Sequence, residues 1–505
     1  MIRDQAGKNK ILFFGIDGAS WNILQPLIEH GDLPNFNRMI EQGFSARMHS
    51  IEPILSSVLW TTISTGKLPD KHGVKDFYAT SKTLRCKRSY DILQDYGYKV
   101  GNLGDLITWP PKPVNGFNIP DLLARDTSTY PAEYSFFSEL IRGEKTLAKR
   151  GSGYFLKTLK KLGYNGLSLR SLFFALDYLF SGRVRRRDSG LIYFKSRVLK
   201  LMMQADLFSH IIKKLEVDYA FFHIHIIDTT CHTFWQYYDP QHYPEVDKID
   251  IEKYKGMIPM AYRHVDRVIG KVSERIDPAI IIVASDHGMK ATLDSEKERF
   301  IVIRADNLLD FIGLRDQVRY SAILLGLMLR ASKDDPEVEQ IMVNRILKIG
   351  KVGSGEKIFQ IKSVGHNNFM LQANYSIDCF EGFKVELNGK IARIEDLLLP
   401  TGPILTGTHD PENAVLIMKG GPFRKAHSGS IYPISDIFPT LLHALTLPVG
   451  RDMDGKVIDE AFTESFMAKN PIAYIDSHDG DKYNESEDGE VTEEIKAQLK
   501  DLGYL

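Results

Sequence analysis

The chain is expected to fold as a doubly wound, mostly parallel α/β sheet carrying two inserted cap segments. Three observations predict this. Four continuous apolar runs, Ile11 to Ile16, Tyr219 to Ile227, Ala279 to Ala284 and Ala414 to Met418, read as strands buried on both faces of a parallel sheet. Helical patterns follow several of them, over about residues 21–42 with Gly43 as a stop, about 254–274, and from Ser435 through PTLLHAL. Two long stretches, 85–205 and 300–400, interrupt the alternation and read as insertions mounted on the sheet.

At 505 residues the chain exceeds a single hydrophobic core. The sequence divides into core segments 1–84, 206–299 and 401–470, insertions 85–205 and 300–400, and a tail 471–505. Its 43% hydrophobic and 26% charged residues are those of an ordinary globular protein. A formal net charge of -1 gives the whole molecule no bias toward nucleic acid, and no nucleic-acid binding is expected. The cysteines, Cys86, Cys231 and Cys379, form no C-x-x-C pair, so neither a disulfide scaffold nor a cysteine zinc site is suggested. The first apolar run is short and ends in an acid, unlike a secretion signal, and a cytoplasmic location is expected. The longest apolar candidate for a membrane span, residues 172–180, is interrupted by Asp177.

The first insertion is basic. From Arg142 to Lys200 it holds fifteen Lys/Arg against three Asp/Glu, or +12. A solvated helical face accounts for this as readily as a cap that attracts an anionic substrate. Peripheral contact with an acidic membrane through 142–200 is the minority alternative, motivated by SLFFALDYLF followed by RVRRR. In the second insertion, Asn388-Gly389 predicts a β-hairpin turn. The tail from Asp476 has ten Asp/Glu against three lysines. It is expected to be disordered to about Glu490 and then to form a short helix, TEEIKAQLKDLG. Neither G-x-G-x-x-G nor G-x-x-x-x-G-K-[ST] occurs, so nucleotide-cofactor and P-loop fingerprints are lacking.

The chemistry lies in five short blocks at or near strand ends. Asp17, in FFGIDG, taken alone reads as a turn residue. Ser56 stands at or next to the N-cap of the helix VLWTTIST, which stops at Gly66. That position suits simple capping, and it equally suits an alkoxide or a bound phosphate, which the positive end of a helix favours. HIHIIDTTCHTFW supplies Asp228 and His232, four apart and on one face if a helix begins there; His223 and His225 read as core or supporting residues. ASDHGMK supplies Asp286 and His287, and GTHDPENAVLIMKG supplies His409. Three aspartates, three histidines and a hydroxyl form the inventory for two adjacent divalent ions and a nucleophile.

In this order the motifs FFGIDGASW, the Ser56 block through TGKLPDKHG, DTTCH, SDHG and GTHDPENAVLIMKGG resemble the alkaline phosphatase superfamily. The resemblance is to its type I phosphodiesterase/nucleotide pyrophosphatase branch, including phosphohydrolase and phosphomutase-like members. It covers about residues 11–77, 205–290 and 400–456, and LKDLGYL is similar to the ending of such proteins. It implies an alkaline phosphatase-like fold and a small phosphorylated substrate. It further implies one metal held by Asp17, Ser56, Asp286 and His287, and another held by Asp228, His232 and His409. Mixed His/Asp ligation suits Zn²⁺ best, with Mn²⁺ as the harder alternative. Two departures stand out. Ser56 replaces the usual Thr nucleophile, and Phe77 occupies the place of an Asn that contacts a phosphoryl oxygen, which weighs against nucleotide diester specificity. Lys67 is the candidate for replacing that contact. Ser56-Ser57-Val58-Leu59-Trp60 lacks the Pro and Arg of the sulfatase signature.

The expected activity is phosphate-ester hydrolysis through a phosphoserine on Ser56. A phosphomutase or phosphotransferase using the same serine, and a non-catalytic anion-binding relative, are the alternatives.

Overall fold

The computed structural model describes residues 10–77, 79–142, 163, 166–184, 188–292, 301–323, 326–332, 335–365, 367–374, 382–400 and 406–480. Much of the basic stretch and the expected terminal helix, with Cys379, lie outside these residues.

The strands that position the site are β1 (Ile11–Ile16), β2 (Gly43–His49), β3 (Val100–Leu103), β4 (Phe117–Ile119), β5 (Tyr219–Ile224), β6 (Ile280–Ala284), β7 (Gly288–Ala291), β8 (Gly407–Asp410), β9 (Ala414–Gly420) and β10 (Ala426–Pro433). All except β7 and β8 form an eight-stranded sheet in the order β10-β2-β9-β6-β1-β5-β3-β4. β1 pairs in parallel with both β5 and β6, aligning Ile16 with Ile224 and Gly15 with Ala284. Three strand ends therefore meet at one edge, where ligands of such sheets collect.

The helices are α1 (Trp21–Glu29), α2 (Pro34–Glu41), α3 (Ser56–Thr65), α4 (Leu169–Val184), α5 (Ser189–Leu215), α6 (Ile226–Tyr238), α7 (Met257–Ile276) and α8 (Ile437–Ala444), with shorter ones between. Side chains alternate across β1. Leu12, Phe14 and Ile16 pack with the helices α1, α2, α5, α6 and α7. Ile11 and Phe13 pack on the other face with α3 and α8. This is the doubly wound arrangement, and it buries both faces, which is why β1 is apolar at every position.

The chain belongs to the mixed α/β class with a mostly parallel central sheet, as the apolar runs predicted. The run at Ala414 differs in direction: β9 is antiparallel to both β2 and β6. Continuous burial marks a strand covered on both faces, not its orientation. The helical pattern over 21–42 divides into α1 and α2, because Gly31 takes φ 79° and Pro34 starts a new helix. The apolar run from Tyr219 changes structure midway, with Ile226 and Ile227 in the first turn of α6.

Residues 303–398 contribute a third core around Leu308, Leu329, Ile346 and Leu371. A hairpin there pairs Lys384–Leu387 with Lys390–Arg393, and Asn388 and Gly389 take the positive φ of 51° and 82° that a two-residue turn requires.

Candidate active site

Each strand end delivers its side chain through a specific local device. Asp17 follows β1, and Gly18 turns the chain with φ +70°, a conformation that L side chains rarely adopt. A Cβ on Gly18 would come 3.1 Å from Asp228, so the same glycine lets two carboxylates approach. α6 begins two residues after β5, placing Asp228 in its first turn and His232 one turn later on the same face. β6 ends in Ser285-Asp286-His287 and turns directly into β7. β7 pairs antiparallel with β8, setting His409 opposite Met289 and bringing its ring centroid to 3.9 Å from that of His287. Ser56 is the first residue of α3, with Leu55 as the cap, one position from where a capping serine would stand.

The seven predicted residues form one contact network. Asp17 Oδ1 lies 3.4 Å from Ser56 Oγ, which donates to it, and 3.3 Å from His287 Nε2. His287 Nε2 is also 3.5 Å from Asp286 Oδ2 and 4.0 Å from Asp228 Oδ1. Asp228 Oδ1 lies 3.0 Å from His232 Nε2 and 3.6 Å from His409 Nε2. All seven are buried.

Proton placement matters here. His232 Nδ1 donates to the Gly407 carbonyl at 2.7 Å, and His287 Nδ1 to the Gly288 carbonyl at 2.9 Å. Both rings are thereby held with Nε2 presented inward, the orientation that backbone partners impose on metal-ligating imidazoles. His232 Nε2 then faces His409 Nε2 at 3.1 Å. Two imidazole nitrogens at that separation need a proton or a cation between them. Both oxygens of Asp228, Asp286 Oδ2 and His287 Nε2 are buried without a hydrogen-bond partner. Such groups are rare in native structures and call for a proton, a water or an ion among them. Asp228, His232 and His409 form one group with donor atoms mutually within 4.8 Å, and Asp17, Asp228 and His287 form another. The donor set therefore fits divalent ions.

The electrostatics agree. Burial, and then the negative charge of Asp17, push the Asp286 carboxyl up to about 7. Burial opposes charge on His287, but Asp286, Asp17 and Asp228 outweigh it and raise the imidazole to about 10. Burial and the charge of His287 lower His409 to about 4. Three carboxylates enclosed together must share protons or cations.

His223 and His225 are closer to the centre than a core reading implies. His223 Nε2 and His225 Nδ1 each lie 3.2 Å from Asp17 Oδ2, and the Trp60 indole N–H donates to the same oxygen at 3.4 Å. Asp17 thus divides its oxygens, one toward Ser56 and His287 and the other toward this pair. The i, i+2 spacing in the run that leads from β5 to Asp228 was the available signal. Lys67 requires a correction. Its ammonium is buried in ion pairs with Asp452 and Asp479, so the phosphoryl contact expected of it is replaced by a structural one. Phe77 lines the cleft beside His223 and His225. α3 itself is anchored by the buried Arg88, which donates to Thr61 Oγ1 at 3.0 Å, Ser64 Oγ at 3.2 Å and Asp105 Oδ2 at 2.7 Å.

The family pattern that the chain matches places it among the phosphoric ester hydrolases of the alkaline phosphatase superfamily. Within it, the chain belongs to the type I phosphodiesterase / nucleotide pyrophosphatase family, whose pattern matches residues 11–400. Members of this family are typically dependent on divalent metals. No curated protein matches the chain closely enough to be counted a relative. Among solved structures, murine ectonucleotide pyrophosphatase/phosphodiesterase 5, an inactive variant in complex with AMP, is similar with a TM-score of 0.46 and 14% identity, over 90% of this chain and 100% of that one.

Proposed function

We propose that the protein hydrolyses a small phosphate ester through a phosphoserine on Ser56, with two divalent ions, Zn²⁺ in preference to Mn²⁺. Asp17, Ser56, Asp286 and His287 would hold one ion, and Asp228, His232 and His409 the other. When bound, the ions supply Lewis acidity that acidifies a hydroxyl and neutralises phosphoryl charge.

The observation that carries this reading is the convergence of three orphaned carboxylate oxygens and His287 Nε2 beside the Ser56 hydroxyl. Ser56 Oγ, already donating to Asp17 Oδ1, gives up its proton to solvent and forms a bond to phosphorus; the bond from phosphorus to the ester oxygen breaks on the opposite side, and that oxygen leaves as the alcohol with a proton taken from water. The N-terminal end of α3 favours the negative charge that builds on the non-bridging oxygens. His223, His225 and Trp60 hold the second Asp17 oxygen, fixing the carboxylate that Ser56 faces. Water then releases phosphate, or the retained ester, from Ser56.

Ser56→Ala in the metal-reconstituted protein should abolish turnover of mono- and diester substrates while the ion assigned to Asp228, His232 and His409 is retained. Turnover in H₂¹⁸O should place label in the released phosphate. Persistent activity of Ser56→Ala would exclude the covalent route, and transfer of the phosphoryl group to an added alcohol without label would favour the phosphotransferase. Asp286→Ala should abolish turnover together with metal binding.

A further inference from the structure

α4 is apolar where a surface helix is ordinarily polar. Its sixteen residues run for about 24 Å. One side is used by the fold. Ser171 and Ala175 are buried, Ser171 Oγ donates to Asp206 Oδ2 of α5 at 2.5 Å, and the Phe174 ring meets the His264 ring of α7 edge-on at 6.4 Å. The opposite side carries Leu169, Phe173 and Leu176, which are 73%, 67% and 36% exposed. Spacings of four and three set them in one stripe about 10 Å long. An amphipathic surface helix would place polar side chains there. Single exposed apolar residues need no explanation, but three in a row along one face mark a contact surface. Asp206 also accepts from Lys271 and Arg275 of α7 at 2.9 and 3.0 Å, so the stripe is presented on a firm base.

The charge around this helix points to the partner. The whole chain stands at -1, yet residues 142–168 hold seven Lys/Arg against one acid, and RVRRR at 183–187 adds four arginines at the other end of α4. An apolar stripe between basic flanks is complementary to a bilayer surface that offers negative headgroups and, beneath them, hydrocarbon. Among the described residues no helix is long and apolar enough to cross a membrane, so the geometry is that of a helix lying along the surface.

We infer that α4 docks the protein on a membrane that carries anionic phospholipid, with Leu169, Phe173 and Leu176 inserted below the headgroups and the basic flanks drawn to the headgroup charge. The inference goes beyond the hydrolase reading and does not depend on it, because none of the three side chains takes part in the Asp/His centre. Three apolar side chains and a local excess of positive charge make a reversible attachment, weakened by salt.

The test floats the full-length protein with vesicles of phosphatidylcholine alone and of phosphatidylcholine containing about one part in three phosphatidylserine. Partition onto the anionic vesicles should exceed that onto the neutral ones by about tenfold or more, and should collapse in about 1 M salt, where screening extends only ~3 Å. Leu169→Ser/Phe173→Ser should lower the partition by about tenfold or more, while its melting temperature and its turnover of a soluble ester stay those of the unaltered protein. Should that variant fail to fold, Phe173→Trp decides: its added indole emission should shift to the blue on anionic vesicles and be quenched by brominated acyl chains. Absence of binding, equal binding to both vesicles, or undiminished binding of a folded Leu169→Ser/Phe173→Ser would overturn the inference. So would an indole at 173 that is already shielded without vesicles, which would show the stripe covered by residues 143–162 or by a second copy of the chain.

Discussion

Replacing Asp286 by Asn should change the sign of its effect with metal. In the metal-free protein Asp286 is a buried acid facing Asp17, pushed up from 3.8 to about 7 by burial and by that neighbour. An acid with a raised folded-state value destabilises the fold as pH climbs from its ordinary value through the raised one, because the unfolded chain ionises first. A rise from 3.8 to about 7 corresponds to about 4 kcal/mol at pH 8 and to much less at pH 5. Asp286→Asn keeps the shape and removes the charge. In excess chelator at pH 8 it should melt higher than the unaltered protein, on the order of 5 °C, and the gap should shrink at pH 5. With zinc the order should reverse. An ion at a thousandfold its Kd stabilises by about 4 kcal/mol, and Asp286→Asn forfeits a ligand. Differential scanning calorimetry of both proteins, with chelator and with zinc, at the two pH values provides the check. Should Asp286→Asn melt no higher than the unaltered protein in chelator at pH 8, the carboxylate is compensated by something other than a missing cation, and the argument from buried charge fails.

Other outcomes follow from single contacts. Arg88→Ala leaves Asp105 buried without its 2.7 Å partner and unties α3, so it should cost about 3–5 kcal/mol in denaturant unfolding. Gly18→Ala forces a side chain into φ +70° and against Asp228, and should lower both melting temperature and metal affinity, read by calorimetric titration. Trp60→Phe removes the indole N–H from Asp17 Oδ2 and should weaken metal binding by about 10-fold or more without unfolding the protein. Asp206 accepts from Ser168, Ser171, Lys271 and Arg275, tying the start of α4 to α5 and α7; burial opposes its charge, but these partners outweigh burial and lower its carboxyl. Its stabilisation is present above the ordinary carboxylate value and lost as pH falls through the lowered one, so Asp206→Asn should narrow the gap in stability between pH 7 and pH 3 measured by melting.

What the sequence made legible was chemistry at strand ends. Asp17, Asp228, Asp286 and His287 could be placed because continuous apolar runs end where they stand, and parallel neighbours bring such ends together. His409 was legible only in company, since its approach depends on the β7–β8 pairing, a contact between segments 120 residues apart in the register of Met289 and His409. The partners of Lys67 were illegible: Asp452 and Asp479 lie in loops that no periodicity marks, and a lysine at a helix end reads the same whether paired or free. The direction of β9 was likewise hidden, because burial on two faces looks identical in either orientation. His223 and His225 were visible as a pair, but their contact with Asp17 depends on the register of β1 against β5.

The opposed ring nitrogens of His232 and His409, 3.1 Å apart, carry one more consequence. Whatever hydrogen ion bridges them in the empty protein has to depart before a divalent ion enters, so loading the centre is an exchange reaction. Uptake of zinc should acidify a weakly buffered solution, and occupancy should fall as the medium becomes more acidic. The enzyme's working complement of metal is then set by ambient acidity as much as by metal supply.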